Sequence, residues 1–460
     1  MVVQVVTEFK MSEHRDHYGF NVSTSNSDAA KAFNEGSRSF VAWRADAMVH
    51  LNNAIELDPS FALPKILKAW ILHGGRTAKY DPVIDGLLLD IADNIEHTNI
   101  REHTMMTALI AAHSGNPQTG AAVLEGYLTS NPMDLIAHRL LQFELFWCGE
   151  SRWMRDIAER AAPAWSDESP DYSHFLAVRA FSNEEAGDYA TAEKAGRGAV
   201  ERDPESAWGA HAVAHVLVMQ GRIDEGRRWM EDLSGNWGKA NQIGHHCWWH
   251  LCLFLLETGE HERILELLHT QIRNPESPLV QAVPDATIDI QNVASLLKRL
   301  ELRGVDVGDN WNIIAEISAQ RITDHANPFS SAHDAMALAA IGDFDSIDGL
   351  VQSMQNKRND NSILGHTTAT FGIPLVKAMA AHKNCDYENV IDLLWPIRRN
   401  LYQVGGSHAQ RDIFYQVLVD SAMRANRPTQ LAAILEDISS IGFERVGERT
   451  LYRDASALAA

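Results

Sequence analysis

The chain is poor in cysteine and has no long apolar run. Its 460 residues include four cysteines, Cys148, Cys247, Cys252 and Cys385, and none forms a CxxC pair. Four thiols in so long a chain exclude a disulfide framework. No apolar run approaches the roughly 20 residues that cross a bilayer, and charged residues interrupt the N-terminus before a signal-peptide core forms. We therefore expect a cytoplasmic protein without a membrane partner.

Basic residues and the common catalytic motifs are also scarce. Lysine and arginine number 40 against 61 acidic residues, for a net charge of -21 at pH 7. Nucleic acids and anionic membranes select basic faces, so we expect no nucleic-acid partner. The sequence contains no GxSxG or Walker motif, and its histidine pairs lack the glutamate of HExxH. These absences leave the zincin, P-loop and nucleophile-elbow chemistries unsupported.

Helical patterns and regularly spaced glycines occupy most of the chain. Five glycines each follow one apolar helical segment and precede another, at separations of 34, 38, 34 and 38 residues: Gly115, Gly149, Gly187, Gly221 and Gly259. A period of 34 is that of the tetratricopeptide repeat. The stretch GDYATAEKAGRGAVERDP, from Gly187 to Pro204, matches that repeat best. This spacing predicts stacked helix-turn-helix units.

The repeat phase is lost after Gly259, and helix pairs then resume with turns near Gly342, Asn384 and Asn426. Since no linker divides the chain, we predict an all-α, tetratricopeptide-like α-solenoid, a right-handed superhelix. The predicted division is a lead-in segment (1–26), tetratricopeptide-like repeats (27–270), an irregular helical segment (271–325) and C-terminal helical repeats of the same superhelix (326–460).

Several stretches resemble the tetratricopeptide repeat protein 38 family, over roughly residues 17 to 455. They are WGAHAVAHVLVMQGRIDEG, HHCWWHLCLF, SLLKRLELRGVDVGD, NPFSSAHDAMA and GGSHAQRDIF. The resemblance implies an all-helical repeat fold and no established reaction. The usual family form of the second stretch is HNWWHLAL, so Cys247 stands here in place of an asparagine.

Histidine and tryptophan are abundant, at 21 and 12 residues. HAVAHV and HHCWWH each place two histidines four residues apart, on one face of a helix. Counted back from the glycine that ends each helix, six histidines fall within an arc of roughly 100°, centred about 160° from the packing stripe. These six residues are His174, His211, His215, His246, His250 and His333. They are therefore predicted to face away from their partner helices.

The resemblance implies that this face lines the concave side of the superhelix. Trp208 and Trp249 fall on or beside the same face, and Glu184 can reach it from the preceding repeat. On resemblance alone, the C-terminal side of this pocket is closed by residues of GGSHAQRDIF: His408, Gln410, Arg411 and Asp412.

Three chemical interpretations of the histidines stay open. Neutral imidazoles at i and i+4 on adjacent helices can converge on a transition metal ion, with His211, His215, His246 and His250 as ligands. The same four residues can instead act as general acids or bases, with Arg411 holding a carboxylate. In the third interpretation they are structural, bonded to each other and to the backbone. Six histidines on one arc favour a functional pocket, because a solvated wall has no reason to prefer histidine.

The predicted function is a helical-repeat binding protein whose His/Trp-lined pocket takes a small ligand or a peptide. The alternative is an enzyme that uses the pocket histidines on a small organic substrate. An open groove would favour a peptide, and a filled one a small ligand. Cys247 is more readily a packed thiol than a nucleophile. The ligand, the reaction and the oligomeric state stay open.

Overall fold

A computed structural model of the protein describes residues 14–357 and 360–459. Within these ranges the chain is helical and forms no β-strand, only isolated bridges between Arg15 and Asn21 and between Arg44 and Ala240. Residues 1–13 of the predicted lead-in segment lie outside the described residues. The expected all-α class is confirmed.

Helices α1 to α14 cover the region of the regular repeats. Their bounds are Ser27–Val41 (α1), Ala47–Leu57 (α2), Ala62–Gly74 (α3), Asp81–Asp93 (α4), Ile100–His113 (α5), Pro117–Leu128 (α6), Leu135–Trp147 (α7), Ser151–Ala161 (α8), Tyr172–Glu185 (α9), Tyr189–Arg202 (α10), Ala207–Met219 (α11), Ile223–Leu233 (α12), Ile243–Thr258 (α13) and His261–Leu267 (α14).

Helices α15 to α25 form the remainder. Their bounds are Pro278–Ala282 (α15), Thr287–Glu301 (α16), Asn312–Ala319 (α17), Pro328–Ile341 (α18), Phe344–Lys357 (α19), Ile363–Thr367 (α20), Ile373–Lys383 (α21), Tyr387–Leu394 (α22), His408–Arg424 (α23), Pro428–Ser440 (α24) and Thr450–Ala459 (α25). Two π-helical turns, Leu268–Ile272 and Thr368–Gly372, continue α14 and α20.

Consecutive helices pack as pairs, and the pairs stack side by side. Helix α9 packs on α10, α11 on α12, and α13 on α14. The first helices of neighbouring pairs also touch, in the order α9, α11, α13, α16, α18 and α21. This inner layer of first helices, backed by second helices, is a tetratricopeptide-like α-solenoid. It is the fold class that the glycine period predicts.

The turns fall at the five glycines that set the period. All five have a positive φ, between 65° and 84°. In the C-terminal half Gly342 has a φ of 80°, and Cys385 and Asn426 adopt the same left-handed conformation. Glycine is favoured in this backbone region, because glycine lacks the Cβ that would clash with the backbone. The turn chemistry therefore accounts for the period.

The two halves of the chain meet along a seam, at which N-terminal turns contact C-terminal segments in chain order. The contacts are Leu364 N to Gly115 O (3.0 Å), His408 N to Glu185 Oε1 (3.3 Å), Glu444 N to Met219 O (2.8 Å) and Thr450 N to Glu257 Oε2 (2.7 Å). Between the first two, Gly149 lies directly against the backbone carbonyl of Tyr402. The solenoid therefore closes upon itself.

Closure fills the inner side of the solenoid. Helix α23 contacts α11, α16 and α21, and Arg299 on α16 donates to the carbonyl of Ala409 (2.9 Å). The face of α11 and α13 that carries the histidines is thus packed against α16 and α23. The structure has no open groove at this face. The C-terminal helices thus cover the histidine face, and a peptide ligand stays a prediction.

No helix of the described ranges is both long and apolar enough to span a membrane. The cytoplasmic location stays a prediction.

Candidate functional site

Two wholly embedded helices carry the central histidines. Every residue of α11 is buried, and all of α13 from Ile243 to Leu256 is buried except Trp248. Gly226 of α12 lets α13 approach closely, since a Cβ there would lie 2.1 Å from the Phe254 ring. Ser206 caps α11 by accepting from the backbone N–H of Gly209 (3.4 Å). These contacts place α11 and α13 side by side with their histidine faces in register.

Four imidazoles form one cluster between α11 and α13, and we call it the histidine cluster: His211, His215, His246 and His250. One ring nitrogen from each lies within 4.8 Å of the corresponding atoms of the other three. The centroids of His215 and His250 are 4.4 Å apart, and those of His211 and His246 are 5.1 Å apart. Each side chain is at most 3 % exposed. The helical spacing therefore brings both pairs together.

Hydrogen bonding within the histidine cluster is incomplete. Nε2 of His211 lies 2.9 Å from Nε2 of His215, and Nδ1 of His246 lies 2.7 Å from Oδ1 of Asn292. Neither ring nitrogen of His250 has a hydrogen-bond partner among the described residues, and Nδ1 of His211 has none either. Buried polar atoms without partners are uncommon and costly. Within the described ranges, ring nitrogens of the cluster thus lack the hydrogen-bond donor or the cation that their lone pairs would bind.

Burial keeps these rings neutral. It lowers the pKa of His246 to about 4, and it holds the pKa of His211, His215 and His250 well below the usual value, with neighbouring histidines adding to the effect. Neutral imidazole is the form that binds a metal ion. General acid-base catalysis favours a pKa near the working pH. The shifts therefore favour the metal interpretation over the acid-base one.

The two predicted tryptophans are packed against the cluster. Trp208 stacks on His211 with 4.6 Å between ring centroids, and Trp249 stacks on His246 at 4.9 Å. Trp249 Nε1 donates to Ser295 Oγ (3.0 Å). Both side chains are buried, so they hold the imidazole planes in place and do not form an exposed surface for a ligand.

Two consecutive glutamates at the end of α9 lie beside the cluster. Glu184 Oε2 is 3.5 Å, and Glu185 Oε1 is 3.9 Å, from Nδ1 of His215. Both carboxylates are buried. Burial raises the pKa of Glu184 well above its usual value, and the neighbouring charge of Glu185 raises it further. Two carboxylates thus face Nδ1 of His215, the ring nitrogen that points away from the cluster.

The C-terminal motif supplies two residues to this neighbourhood. His408 Nε2 lies 3.1 Å from the backbone carbonyl of Glu185, and Arg411 lies 3.9 Å from the Glu185 carboxylate. The Arg411 guanidinium also donates to the carbonyl of Gly406 and contacts Nδ1 of His408 (3.2 Å). The structure therefore brings these two residues to the edge of the site.

Other predicted site residues lie outside the cluster. His174 stands in the first turn of α9, 4.0 Å from Asp203, and His333 bonds the carbonyl of Phe329 in its own helix (2.8 Å). Gln410 forms a capping box with Ser407. Asp412 contacts Gln416 (2.6 Å), Arg449 (3.4 Å) and the Tyr452 hydroxyl. Four of the six histidines predicted to share one face come together, whereas His174 and His333 make contacts elsewhere; one wall of six stays a prediction.

Cys247 is a packed thiol. Its sulfur is buried, points to the carbonyl of Ala207 (3.7 Å), and has its pKa raised strongly by burial. A thiol that is not ionised is a poor nucleophile.

A cavity of about 410 Å³ adjoins the site at the seam between the halves. Three arginines and a histidine line it, against one acid among the described lining residues: Arg152, Arg399, Arg411 and His408, with Glu150. His408 and Arg411 line this cavity and also contact Glu185, so they connect the cavity wall to the buried carboxylates.

Sequence patterns missed Glu185, Asn292 and Ser295. Asn292 and Ser295 are i and i+3 on α16, so they share a face, and Asp289 on the same face bonds His245 (3.0 Å). A row of polar residues on an otherwise apolar helix was the available signal. It gave no indication that α16 would pack against α13.

No family model matches the chain. Among solved structures it is similar to the human IFIT1 dimer with m7Gppp-AAAA, at 14% identity over 94% of this chain and 95% of that one (TM-score 0.37). A monomeric IFIT1 mutant with Gppp-AAAA shows 13% identity over 91% and 95% (0.35), and yeast Tom70 10% over 93% and 86% (0.35).

At such low TM-scores we assign the fold from the helix pairs themselves, as a tetratricopeptide-like repeat protein. Both IFIT1 structures contain an oligonucleotide. The exclusion of nucleic acid drawn from net charge is therefore wrong and is withdrawn. The similarity assigns no ligand to this chain.

Proposed function

We propose that the protein binds a divalent transition metal ion at the histidine cluster. The supporting observation is the convergence of four buried, neutral imidazoles, among which His250 has no hydrogen-bond partner at either nitrogen within the described part of the chain. A metal ion accepts the lone pairs that the protein leaves unmatched. Removing several imidazoles from water without a partner would otherwise be costly.

The donor set indicates which ions fit. Imidazole nitrogen suits Zn²⁺, Cu²⁺, Ni²⁺ and Fe²⁺, whereas Mg²⁺ and Ca²⁺ prefer oxygen. His246 holds its Nδ1–H on Asn292, which leaves Nε2 free to bind the ion. Trp208 and Trp249 keep two ligand rings in plane. These contacts preorganise the histidines, so little side-chain freedom would be lost on binding.

Elemental analysis tests this proposal. Full-length protein purified in metal-free buffer and reloaded with Zn²⁺ is expected to retain near-stoichiometric metal after dialysis. His250→Ala is expected to lose it, while His97→Ala, at an exposed ring, keeps it. Far-UV circular dichroism checks folding, and His211→Gln serves as a second cluster variant. Wild-type protein without retained metal would refute the metal site.

The adjoining cavity supports a second function, the binding of a small carboxylate or phosphate. Its lining carries more positive than negative groups, and the buried Arg411 offers a planar guanidinium. Calorimetric titration with acetate and inorganic phosphate tests this binding. We expect Arg152→Met to weaken it, whereas Arg155→Met on the same helix should not. Equal binding by both variants would refute this site.

An enzyme combining the metal ion with this cavity remains the alternative to a pure binding protein. The observation that favours it is Glu185, which lies 3.9 Å from His215 of the cluster and 3.9 Å from Arg411 of the cavity lining. We also propose, on the stretches quoted above, membership of the tetratricopeptide repeat protein 38 family, and we keep the four-part division of the chain as a proposal.

A further inference from the structure

Two carboxylates are buried side by side at the end of α9 with little to balance their charge. Neither oxygen of Glu184 has a hydrogen-bond partner among the described residues, and its side chain is fully buried. Glu185 bonds the backbone N–H of His408 (3.3 Å). The nearest permanent cation, Arg411, is 3.9 Å from Glu185 and is shared with two backbone carbonyls. Two buried acids in this arrangement lose their excess charge in one of two ways, by keeping a proton on Glu184 or by gaining a further positive charge.

We propose that Glu184, Glu185 and His215 bind a second divalent cation, next to the ion of the histidine cluster. The inference rests on the proposed metal function of that cluster. One ligand atom from each of these three residues lies within 4.8 Å of the others. An ion there would satisfy the unpartnered oxygens of Glu184 and the outward-facing nitrogen of His215 together.

His215 links the two positions. Its Nε2 faces His211, whereas its Nδ1 faces the carboxylates. The neutral ring carries one proton, so binding an ion at each nitrogen requires the loss of that N–H proton to solvent. The resulting imidazolate would bridge two cations, and its negative charge would offset part of their mutual repulsion. Metal loading would then release one more proton than a single-ion site releases.

The two sites differ in chemistry. The histidine cluster offers nitrogen ligands alone, while the second site offers carboxylate oxygens and one nitrogen. Oxygen-rich sites accept harder ions such as Mn²⁺ and Fe²⁺ as well as Co²⁺ and Zn²⁺. His408 is positioned behind the second site, with its Nε2 3.9 Å from Glu185 Oε2. His408 and Arg411 lie between Glu185 and the cavity at the seam, which neither glutamate lines.

Titration of metal-free, full-length protein with Co²⁺ tests the inference. We expect two ions per chain: the first with the intense visible absorption of a four-coordinate nitrogen site, the second with the weak absorption of an oxygen-rich one. This wild-type measurement needs no variant to fold. The double variant Glu184→Gln/Glu185→Gln should keep the first ion and bind the second at least tenfold more weakly. Glu201→Gln, at an exposed acid of α10, should behave as wild type.

The outcomes separate the inference from the function beneath it. A single Co²⁺ per chain, unchanged in the double variant, would mean that Glu184 only orients His215 or shares a proton with Glu185; the second site would then be refuted and the first retained. Two ions that persist in the double variant would equally overturn the assignment of ligands. No bound Co²⁺ in wild-type protein would refute the histidine-cluster site itself.

Discussion

Nε2 of His211 lies 2.9 Å from Nε2 of His215, one helical turn further along α11. At this distance the two nitrogens must share a proton or a cation, because two facing lone pairs repel. Burial lowers the pKa of both rings and disfavours the charged form. The pair therefore forms an N–H···N hydrogen bond in the metal-free protein, and under the proposed function both rings become metal ligands.

The first prediction concerns metal removal. An ion that binds the folded state alone stabilises it by about 2.7 kcal/mol when its free concentration is one hundred times Kd. Treatment with a chelator should therefore lower the midpoint of thermal unfolding, and Zn²⁺ should restore it. His250→Ala should respond to both reagents less than the wild type does. An equal response of wild type and variant would place the stabilising ion elsewhere.

The second prediction concerns the residue that orients His246. Asn292→Leu keeps the branched side-chain shape but removes the oxygen that holds Nδ1 (2.7 Å). Loss of such a partner typically weakens metal affinity about 10- to 100-fold. Competition with a chelating dye measures this change. Ser295→Ala, which removes the partner of Trp249 on the same helix, should leave the affinity within about threefold. Similar losses in both variants would indicate general loosening of α16.

The third prediction tests the seam. An alanine Cβ at Gly149 would lie 2.2 Å from the carbonyl oxygen of Tyr402, at a φ of 70°. At Gly187, with a φ of 84°, nothing lies within 4 Å. Gly187→Ala should therefore cost only the left-handed backbone term, about 1–2 kcal/mol. Gly149→Ala should cost more, because the seam must also open. Urea unfolding compares them, and equal losses would contradict the contact.

The fourth prediction concerns pH. Glu102 caps α5 and accepts from the N–H groups of Ser23 and Asn99, yet burial raises its pKa from 4.5 to about 7. The folded state thus keeps the Glu102 proton up to a higher pH than the unfolded state does. This residue therefore makes the free energy of unfolding fall as pH rises from 4.5 to 7. The change is at most about 3 kcal/mol.

Glu102→Gln should remove that slope. Gln retains one acceptor oxygen, so one of the two hydrogen bonds to backbone N–H groups is lost. That loss lowers the free energy of unfolding by an amount that does not vary with pH. Urea unfolding at several pH values between 4.5 and 8 measures the difference from wild type, with the exposed Glu96→Gln as control. A wild-type-minus-variant difference that stays constant across this range would show that Glu102 ionises normally in the folded protein.

The repeat fold was accessible from the sequence, because its period is set by backbone chemistry. Gly115 and Gly187 adopt the left-handed turn that a tetratricopeptide unit requires, and the apolar stripes between them follow. The convergence of His211 with His250 was accessible too. It depends on two facts that a sequence displays: i, i+4 spacing and adjacency of consecutive repeats.

Long-range packing lay beyond the sequence. Nothing in the local pattern shows that Asn292 contacts His246. Nor does it show that His408 contacts Glu185, which lies 223 positions earlier in the chain. His333 shares the helical angle of the cluster but sits on α18, and α16 lies between α18 and α13 in the inner layer. Angle about a helix axis is local information, whereas separation across the solenoid depends on how the chain closes.

The seam between the halves has a consequence for how the chain acquires its structure. In open repeat arrays each unit contacts only its neighbours, and folding can begin at any unit. Here the turns at Gly115, Gly149 and Met219 contact residues 364, 402 and 444, which are synthesised more than 200 residues later. Such high contact order slows folding and makes it cooperative. Truncation before α23 should therefore leave the histidine-bearing helices exposed on one face, so the site is expected to assemble only after α23 has been synthesised.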